Sequence, residues 1–142
     1  MEKTQVSILI KKSSLIFDKY VNQLLAPYQL SSSQFRILMI LYKSPACSVR
    51  QTDIEAAFSM TNPTLTGLVH NLERKGLVKK VDNPEDKRSK FLVLTEYAES
   101  RRNEFLSLAD SIEKKMTDGL SKTEILVLSE LLQKVLKIHE GQ

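Results

Sequence analysis

Apolar residues recur along this chain in six runs at helical spacing and in one pair of short runs that read as strands. From about Thr4 to Leu25, Val6, Leu9, Ile16, Tyr20 and Leu24 fall near one stripe that Phe17 and Val21 widen, which predicts a long amphipathic helix. Ser31 followed three residues later by Gln34 has the spacing of a capping box, and Phe35, Leu38, Met39 and Tyr42 carry a second helix until Ser44 and Pro45 stop it. Ser48 and Gln51 repeat that spacing and open a short third helix through Ile54 and Ala57 to Phe58. After Ser59-Met60-Thr61, Asn62 is a good N-cap and Pro63 suits the first position of a fourth helix. Its buried stripe is Leu65, Leu68, Val69 and Leu72, which puts Thr64, Gly67, His70, Asn71 and Arg74 towards the opposite face.

Gly76 closes that helix, and the period then shortens. Leu77 to Val81 reads as a strand, Asp82-Asn83-Pro84-Glu85-Asp86 as a turn, and Phe91 to Leu94 as the returning strand of a β-hairpin with a charged tip. Thr95 starts a fifth helix whose stripe of Tyr97, Ala98, Phe105, Leu108, Ala109, Ile112 and Met116 spans about five turns before Gly119. A last helix opens on Ser121 and Glu124, again spaced as a capping box, and aligns Ile125, Leu128, Leu131, Leu132, Val135 and Ile138. Neither terminal helix has a partner of its own length in so small a core. There is no internal repeat and no low-complexity segment.

The chain has 142 residues, enough for one domain or one core with appended helices, and its 42% hydrophobic and 27% charged content is that of an ordinary globular protein. A single cysteine, Cys47, excludes an intrachain disulfide and a zinc finger and suits a reducing cytoplasm. The longest apolar stretch, Phe35 to Tyr42, is broken by Arg36 and is far too short for a membrane span, while Glu2, Lys11 and Lys12 interrupt any signal-like N-terminus. A cytoplasmic location with no membrane partner is the expectation. The net charge of +4 is unevenly spread: residues 1–73 carry +2, residues 74–90 carry +4, and residues 91–142 carry −2. The short basic stretch is the end of the fourth helix plus the hairpin, which has the form of a nucleic-acid footprint.

Helix, helix, short turn, helix and basic hairpin in that order are the parts of a winged helix-turn-helix, giving a mainly α fold with a small β-hairpin wing (α+β). The second helix of the pair fits a major groove and presents a short polar row to base edges, while cations of the hairpin follow phosphates or enter the minor groove. Thr64, Thr66, His70 and Asn71 have the length and polarity for this, and Gly67 removes a side chain from between backbone and duplex. The same geometry serves, as an alternative, a winged-helix protein-interaction module without specific DNA binding. An enzyme is not expected, because no nucleophile, base and oxyanion set is visible. Glu85 and Asp86 lie on a loop flanked by Lys87 and Arg88, with no pocket implied.

Asn83 to Thr95, read as NPEDKRSKFLVLT, resembles the D-x-R wing of the MarR family of bacterial transcription regulators, followed by that family's L-T at the next helix. Asn62-Pro63-Thr64-Leu65-Thr66-Gly67-Leu68 and Leu72-Glu73-Arg74-Lys75-Gly76-Leu77-Val78 resemble its recognition helix and exit, and the long terminal helices fit as well. The resemblance implies a DNA-binding transcriptional regulator, more often a repressor, that binds a near-palindromic double-stranded site as a homodimer and is in some members released by a small-molecule effector. It implies three parts of one continuous unit: a dimerisation helix over 1–30, the winged helix-turn-helix over 31–95, and C-terminal dimerisation helices over 96–142. Carried over residue by residue, Arg88 matches the wing arginine of the minor groove and Asp86 the acid that holds it. Asn62, Thr64, Thr66, Gly67, His70 and Asn71 fall on the recognition helix. Arg74, Lys75, Lys79, Lys80, Lys87 and Lys90 are the expected phosphate contacts. Two positions depart from the family pattern: Ser59 stands where glycine is common, and Glu55 where alanine is frequent.

The remaining candidates are weaker in chemistry. Effectors in similar proteins sit between the dimer helices and the DNA-binding lobe, which makes Phe17, Tyr20, Tyr28 and Tyr42 candidate pocket residues, although helical spacing alone explains Phe17, Tyr20 and Tyr42 as core. Cys47, His70 and His139 lack metal-ligand spacing, so neither a metal nor another cofactor is expected. His139 suits the end of a helix, where a cation complements the dipole. Cys47 lies in the loop before the third helix, and the family's peroxide sensors carry their cysteine in the first helix, where this chain has none.

Overall fold

The structure, a computed structural model, describes residues 5–139; Thr4, the expected start of the first helix, lies outside the described residues. The order of elements is α1 (Val6–Leu25), a single 3-10 turn (Ala26–Tyr28), α2 (Ser32–Tyr42), β1 (Val49–Arg50), α3 (Gln51–Phe58), α4 (Asn62–Arg74), β2 (Val78–Val81), β3 (Phe91–Leu94), α5 (Glu96–Ser100), α6 (Arg102–Thr117) and α7 (Lys122–Ile138). The expected mainly α fold with a β-hairpin wing is present.

The first and last capping boxes form as the spacing requires. Gln34 N–H donates to Ser31 Oγ at 3.1 Å while Ser31 N–H donates to Gln34 Oε1 at 3.0 Å. At the start of α7, Glu124 N–H and Ser121 N–H exchange the equivalent bonds at 3.1 and 2.9 Å. The middle box does not form. Ser48 Oγ donates instead to Pro45 C=O at 2.6 Å, and Val49 and Arg50 are drawn into a strand that pairs antiparallel with β3, Val49 opposite Leu92 and Arg50 opposite Phe91. The hairpin is therefore part of a three-stranded sheet ordered β1-β3-β2. α3 starts two residues later than that box would have it, with Arg50 N–H donating to Asp53 Oδ2 at 2.8 Å; hydrogen bonds and charge from Arg50 hold the Asp53 carboxyl below its ordinary range.

The N-cap of α4 is Thr61, one residue before the expected Asn62, which leaves Pro63 in the first turn where its missing N–H costs nothing. At its other end Gly76 takes φ +73°, Gly76 N–H bonds Glu73 C=O at 3.0 Å and Leu77 N–H bonds Leu72 C=O at 3.0 Å. These two bonds make a Schellman motif, with buried Leu72 and Leu77 on its apolar side. The motif turns the chain directly from α4 into β2. Thr95 secures the base of the hairpin by donating its hydroxyl to Gly76 C=O at 2.6 Å and accepting from Ala98 N–H at 3.1 Å.

The expected five-turn helix from Thr95 is broken at Arg101, whose backbone sits at φ −100°, ψ 9°. Tyr42 hydroxyl donates to Ala98 C=O at 2.5 Å and occupies the carbonyl that would continue the helix, while Arg102 reaches back to Tyr42 C=O at 2.8 Å. The break swings Tyr97 out of the stripe: it is exposed, with Arg101 donating to its hydroxyl at 2.9 Å.

The core lies between α1, α2, α3, α4, the sheet and α6. Leu25, Ile37, Leu38, Leu65, Val69 and Leu72 have essentially no exposed surface, and Phe105 closes the α6 side against the rings of Tyr28, Phe35 and Tyr42 at centroid distances of 5.3, 6.4 and 6.1 Å. α7 contributes no buried residue at all. Its Leu128, Leu131, Leu132 and Val135 face an open cleft of about 670 Å³ together with Val6, Leu9 and Ile10 of α1. Among the described residues no helix is long and apolar enough to cross a membrane.

Candidate nucleic-acid interface

α4 is held by one face and presents the other. Leu65, Val69 and Leu72 are sunk in the core, and Thr64, Thr66, Gly67, His70 and Arg74 are exposed, as the helical spacing requires. A Cβ added at Gly67 would meet nothing within 4 Å, so the glycine is not demanded by any packing contact inside the protein. Ser59, in the turn that leads into α4, adopts φ +53°, the left-handed conformation that glycine takes without steric cost. The turn retains its geometry despite the serine.

The wing is shaped by its own short polar side chains. Asn83, 8% exposed, accepts from Glu85 N–H at 3.0 Å through Oδ1, and Asp86 Oδ1 accepts from Arg88 N–H at 3.0 Å. Asp86 therefore fixes the backbone from which Arg88 projects; its contact is with the main chain of Arg88 and not with the guanidinium. Among the described residues the side chains of Arg88, Lys79 and Lys87 have no ion-pair partner. Lys80 lies 3.6 Å from half-buried Glu73, and Lys90 lies 3.6 Å from Asp82 in an exposed pair that surrenders its cation cheaply.

Wing and helix meet at a polar cavity of about 300 Å³. Lys80, Arg88 and Lys90 line it from the sheet side, Gln51 and Glu55 from α3, and Asn62 from the first turn of α4. Gln51 and Glu55 were invisible to the charge and stripe arguments. The signal was their i, i+4 spacing on the helix before the turn, opposite the i, i+4 pair Asn62 and Thr66.

Two expected contact residues are turned away from this surface. Asn71 Oδ1 accepts from Gln34 Nε2 at 2.7 Å, and Gln34 is 5% exposed with its other amide atom committed to the capping box. Asn71 thus docks α4 on α2, and an asparagine one position from the buried stripe was too close to the boundary for spacing alone to place. Lys75 Nζ donates to Gln29 C=O in the turn after α1, at the rear end of α4.

The four aromatic pocket candidates do not converge. Tyr42 is core, and burial pushes its hydroxyl up to about 12. Tyr20 lies under Lys115, whose Nζ is 4.7 Å from the ring centroid. Phe17 borders the cleft of α1 and α7. Tyr28 borders a separate cavity of about 370 Å³ with Lys75, Leu77, Tyr97 and Arg101. Its hydroxyl donates to Glu104, which raises the Tyr28 pKa; Glu104 is held below the ordinary carboxylate range first by Arg101, at 2.5 Å, and then by Tyr28. Cys47 is exposed in the loop before β1 at φ +56°. His139 caps the end of α7. Among the described residues no three histidine, cysteine or carboxylate side chains stand together as metal ligands do.

Known proteins share this arrangement. The sequence model of the MarR family matches residues 30–90, the segment from just before α2 to the residue before β3. The multiple antibiotic resistance protein MarR of Escherichia coli K12 is 28% identical over 120 residues, 84% of this chain and 82% of its own length. The crystal structure of the S. aureus MepR–DNA complex superposes with a TM-score of 0.84 at 28% identity, covering 95% of this chain and 98% of that one. A variant of E. coli MarR complexed with operator DNA superposes at 0.80 with 26% identity, covering 92% and 93%. With its winged helix, its wing sequence and these relatives taken together, residues 30–90 of the chain are a segment of the MarR family of transcriptional regulators.

Proposed function

We propose that the protein is a sequence-specific regulator that binds a near-palindromic double-stranded DNA site as a homodimer, acts as a repressor, and is released by a small-molecule effector. The observation that carries the DNA reading is the shared cavity, which brings Arg88 and Lys90 of the wing to the start of a helix whose outer face is polar and open. Thr64, Thr66 and His70 face bases across a surface that Gly67 keeps low, with Asn62 at the groove edge. Arg88 enters the minor groove, positioned through its backbone by Asp86, and Lys79, Lys80, Lys87, Lys90 and Arg74 meet phosphates. MepR and MarR, the similar proteins solved with DNA, support this use of the fold.

The homodimer reading rests on the apolar faces of α1 and α7, which a second copy would cover, with residues 1–30 and 96–142 as the dimerisation parts and 31–95 as the DNA-binding lobe. Two lobes fixed by one dimer present their α4 helices about one duplex turn apart, and the operator is near-palindromic for that reason. Occupying promoter DNA excludes polymerase, which gives the repressor sense. The cavity at Tyr28 joins the end of α1, the end of α4 and the α5–α6 break, so an effector seated there with unequal affinity for two lobe spacings changes DNA affinity.

Fluorescence anisotropy with the protein's own upstream DNA and a random duplex, at several salt concentrations, tests the reading. Five phosphate-facing cations per protomer, the four lysines and Arg74, give the dimer a log–log salt slope of about −9. Arg88→Ala weakens binding by about tenfold or more. Equal affinity for both duplexes at every salt concentration overturns specific binding, and a stable complex with another protein under those conditions favours the interaction-module alternative.

A further inference from the structure

The contact between α3 and α4 is a closed ring of four polar side chains. Gln51 and Glu55 stand one turn apart on α3, and Asn62 and Thr66 one turn apart on α4. Glu55 Oε1 accepts from Asn62 Nδ2 at 2.6 Å and from Gln51 Nε2 at 3.5 Å. Gln51 Nε2 also donates to Thr66 Oγ1 at 2.9 Å, and Thr66 Oγ1 donates to Asn62 Oδ1 at 3.4 Å.

Only one member of this ring has no proton to give. An ionised carboxylate accepts and never donates, whereas amides and hydroxyls do both. Glu55 therefore sets the sense of every bond around it: Asn62 and Gln51 must turn their amide nitrogens towards it. Thr66, already accepting from Gln51, has its proton left for Asn62 Oδ1. Gln51 Oε1 takes no part in the ring and keeps its lone pairs for a partner outside. Without the carboxylate both amides are free to flip, and donors and acceptors at the start of α4 lose their fixed places.

Glu55 also carries a negative charge in a cavity whose other walls hold Lys80, Arg88 and Lys90. Among phosphates such a charge opposes binding of any duplex to a similar degree. The ring and the charge therefore act on different quantities: the ring sets the ratio between one sequence and another, and the charge lowers affinity for all of them.

We infer that Glu55 is a positioning and specificity-determining residue of the DNA surface, locking Asn62, Thr66 and Gln51 into one donor–acceptor arrangement while its charge restrains binding to duplex of any sequence. The inference rests on the DNA reading proposed above. Its test uses the full chain, Glu55→Gln, which removes the charge and lets the side chain donate as well as accept, and Glu55→Ala, which removes charge and hydrogen-bonding partner together.

Each protein is titrated with the upstream duplex and with random duplex at one low salt concentration. Both variants bind random duplex about threefold more tightly than the parent. Both variants also lose part of the parental ratio of specific to random affinity, Glu55→Ala about tenfold and Glu55→Gln, which leaves the ring free to reverse, about threefold. An unchanged ratio in either variant overturns the positioning role; unchanged affinity for random duplex in both overturns the charge role. Side-chain amide NMR spectra of the DNA-free proteins give a second readout. The Asn62 and Gln51 amide protons exchange slowly in the parent and faster in both variants, fastest in Glu55→Ala, and three identical spectra overturn the ring. A parent that does not distinguish the two duplexes fails the DNA reading, while those spectra still decide whether Glu55 orders the ring.

Discussion

α2 and α7 begin alike and end differently. Each opens on a serine whose hydroxyl accepts from the N–H three residues on and whose own N–H is bonded by the Gln34 or Glu124 side chain, and each carries an apolar stripe. α2 then buries Phe35, Ile37, Leu38, Leu41 and Tyr42 inside the lobe, while α7 buries none of its residues and leaves Leu128 and Leu132 at 43% and 39% exposure. Local sequence is sufficient to start and stop both helices. What separates them is the tertiary partner: α2 meets α1, α4, α6 and the sheet, and the apolar stripe of α7 is left uncovered.

The sharpest break of that comparison is a truncation on each side of it. Leu38 has no exposed surface, so Leu38→Ala leaves a cavity and destabilises the fold by about 3–5 kcal/mol, read as a lower urea midpoint at unchanged slope. Leu132→Glu costs the isolated fold little, because the new carboxylate is already in water. Where a second copy covers α7 the same charge is buried without a partner, and association weakens by about 2–3 kcal/mol at each such contact. Sedimentation velocity shows this as a shift from dimer to monomer with the far-ultraviolet circular dichroism unchanged. A monomeric parent protein removes the dimer from the mechanism.

Which parts of this molecule could be read from its sequence follows the same division. Elements held by local chemistry were legible: the Ser31 and Ser121 caps, the Gly76 exit, and the wing strand Phe91–Leu94. Elements decided by distant partners were not. β1 exists because Val49 and Arg50 pair with a strand about 40 residues away, and no local pattern competes with the Ser48–Gln51 spacing that suggested a cap. The break at Arg101 depends on a tyrosine hydroxyl from α2. At the candidate interface the polar face of α4 and the basic wing were legible from spacing and charge. The inward turn of Asn71 was not, since it is fixed by Gln34, nor was the ring around Glu55, which needs two helices facing each other.

The Tyr42 bond that breaks the helix gives a smaller, pH-dependent test within the lobe. Tyr42→Phe removes the bond to Ala98 C=O, which still accepts from Arg101 N–H at 3.1 Å, and costs about 1 kcal/mol near neutral pH. Burial lifts the Tyr42 pKa from 10.0 to about 12, so the folded state holds this proton more tightly than the unfolded chain does. Its contribution is complete below pH 10.0 and is lost as pH rises to about 12. Urea midpoints measured across that window fall more steeply for the parent than for Tyr42→Phe, and equal slopes mean that Tyr42 is not protected.

The smallest effect on the fold separates stability from function on a single helix. Gly67 lies mid-helix on the exposed face of α4, and a Cβ there meets nothing within 4 Å, so the protein alone gains from Gly67→Ala. Alanine restricts the unfolded chain and favours the helix, which raises stability by about 0.5–1 kcal/mol. The same methyl group on the outer face stands where backbone and duplex approach each other if α4 lies in a major groove. Binding to the upstream duplex then weakens while the urea midpoint rises, an opposition of sign that no general loss of folding produces. Buried positions such as Leu65 and Val69 on the same helix cannot show this opposition, because substituting them lowers stability and binding together. A Gly67→Ala protein that is more stable and binds DNA as tightly as its parent would place the close approach elsewhere on α4.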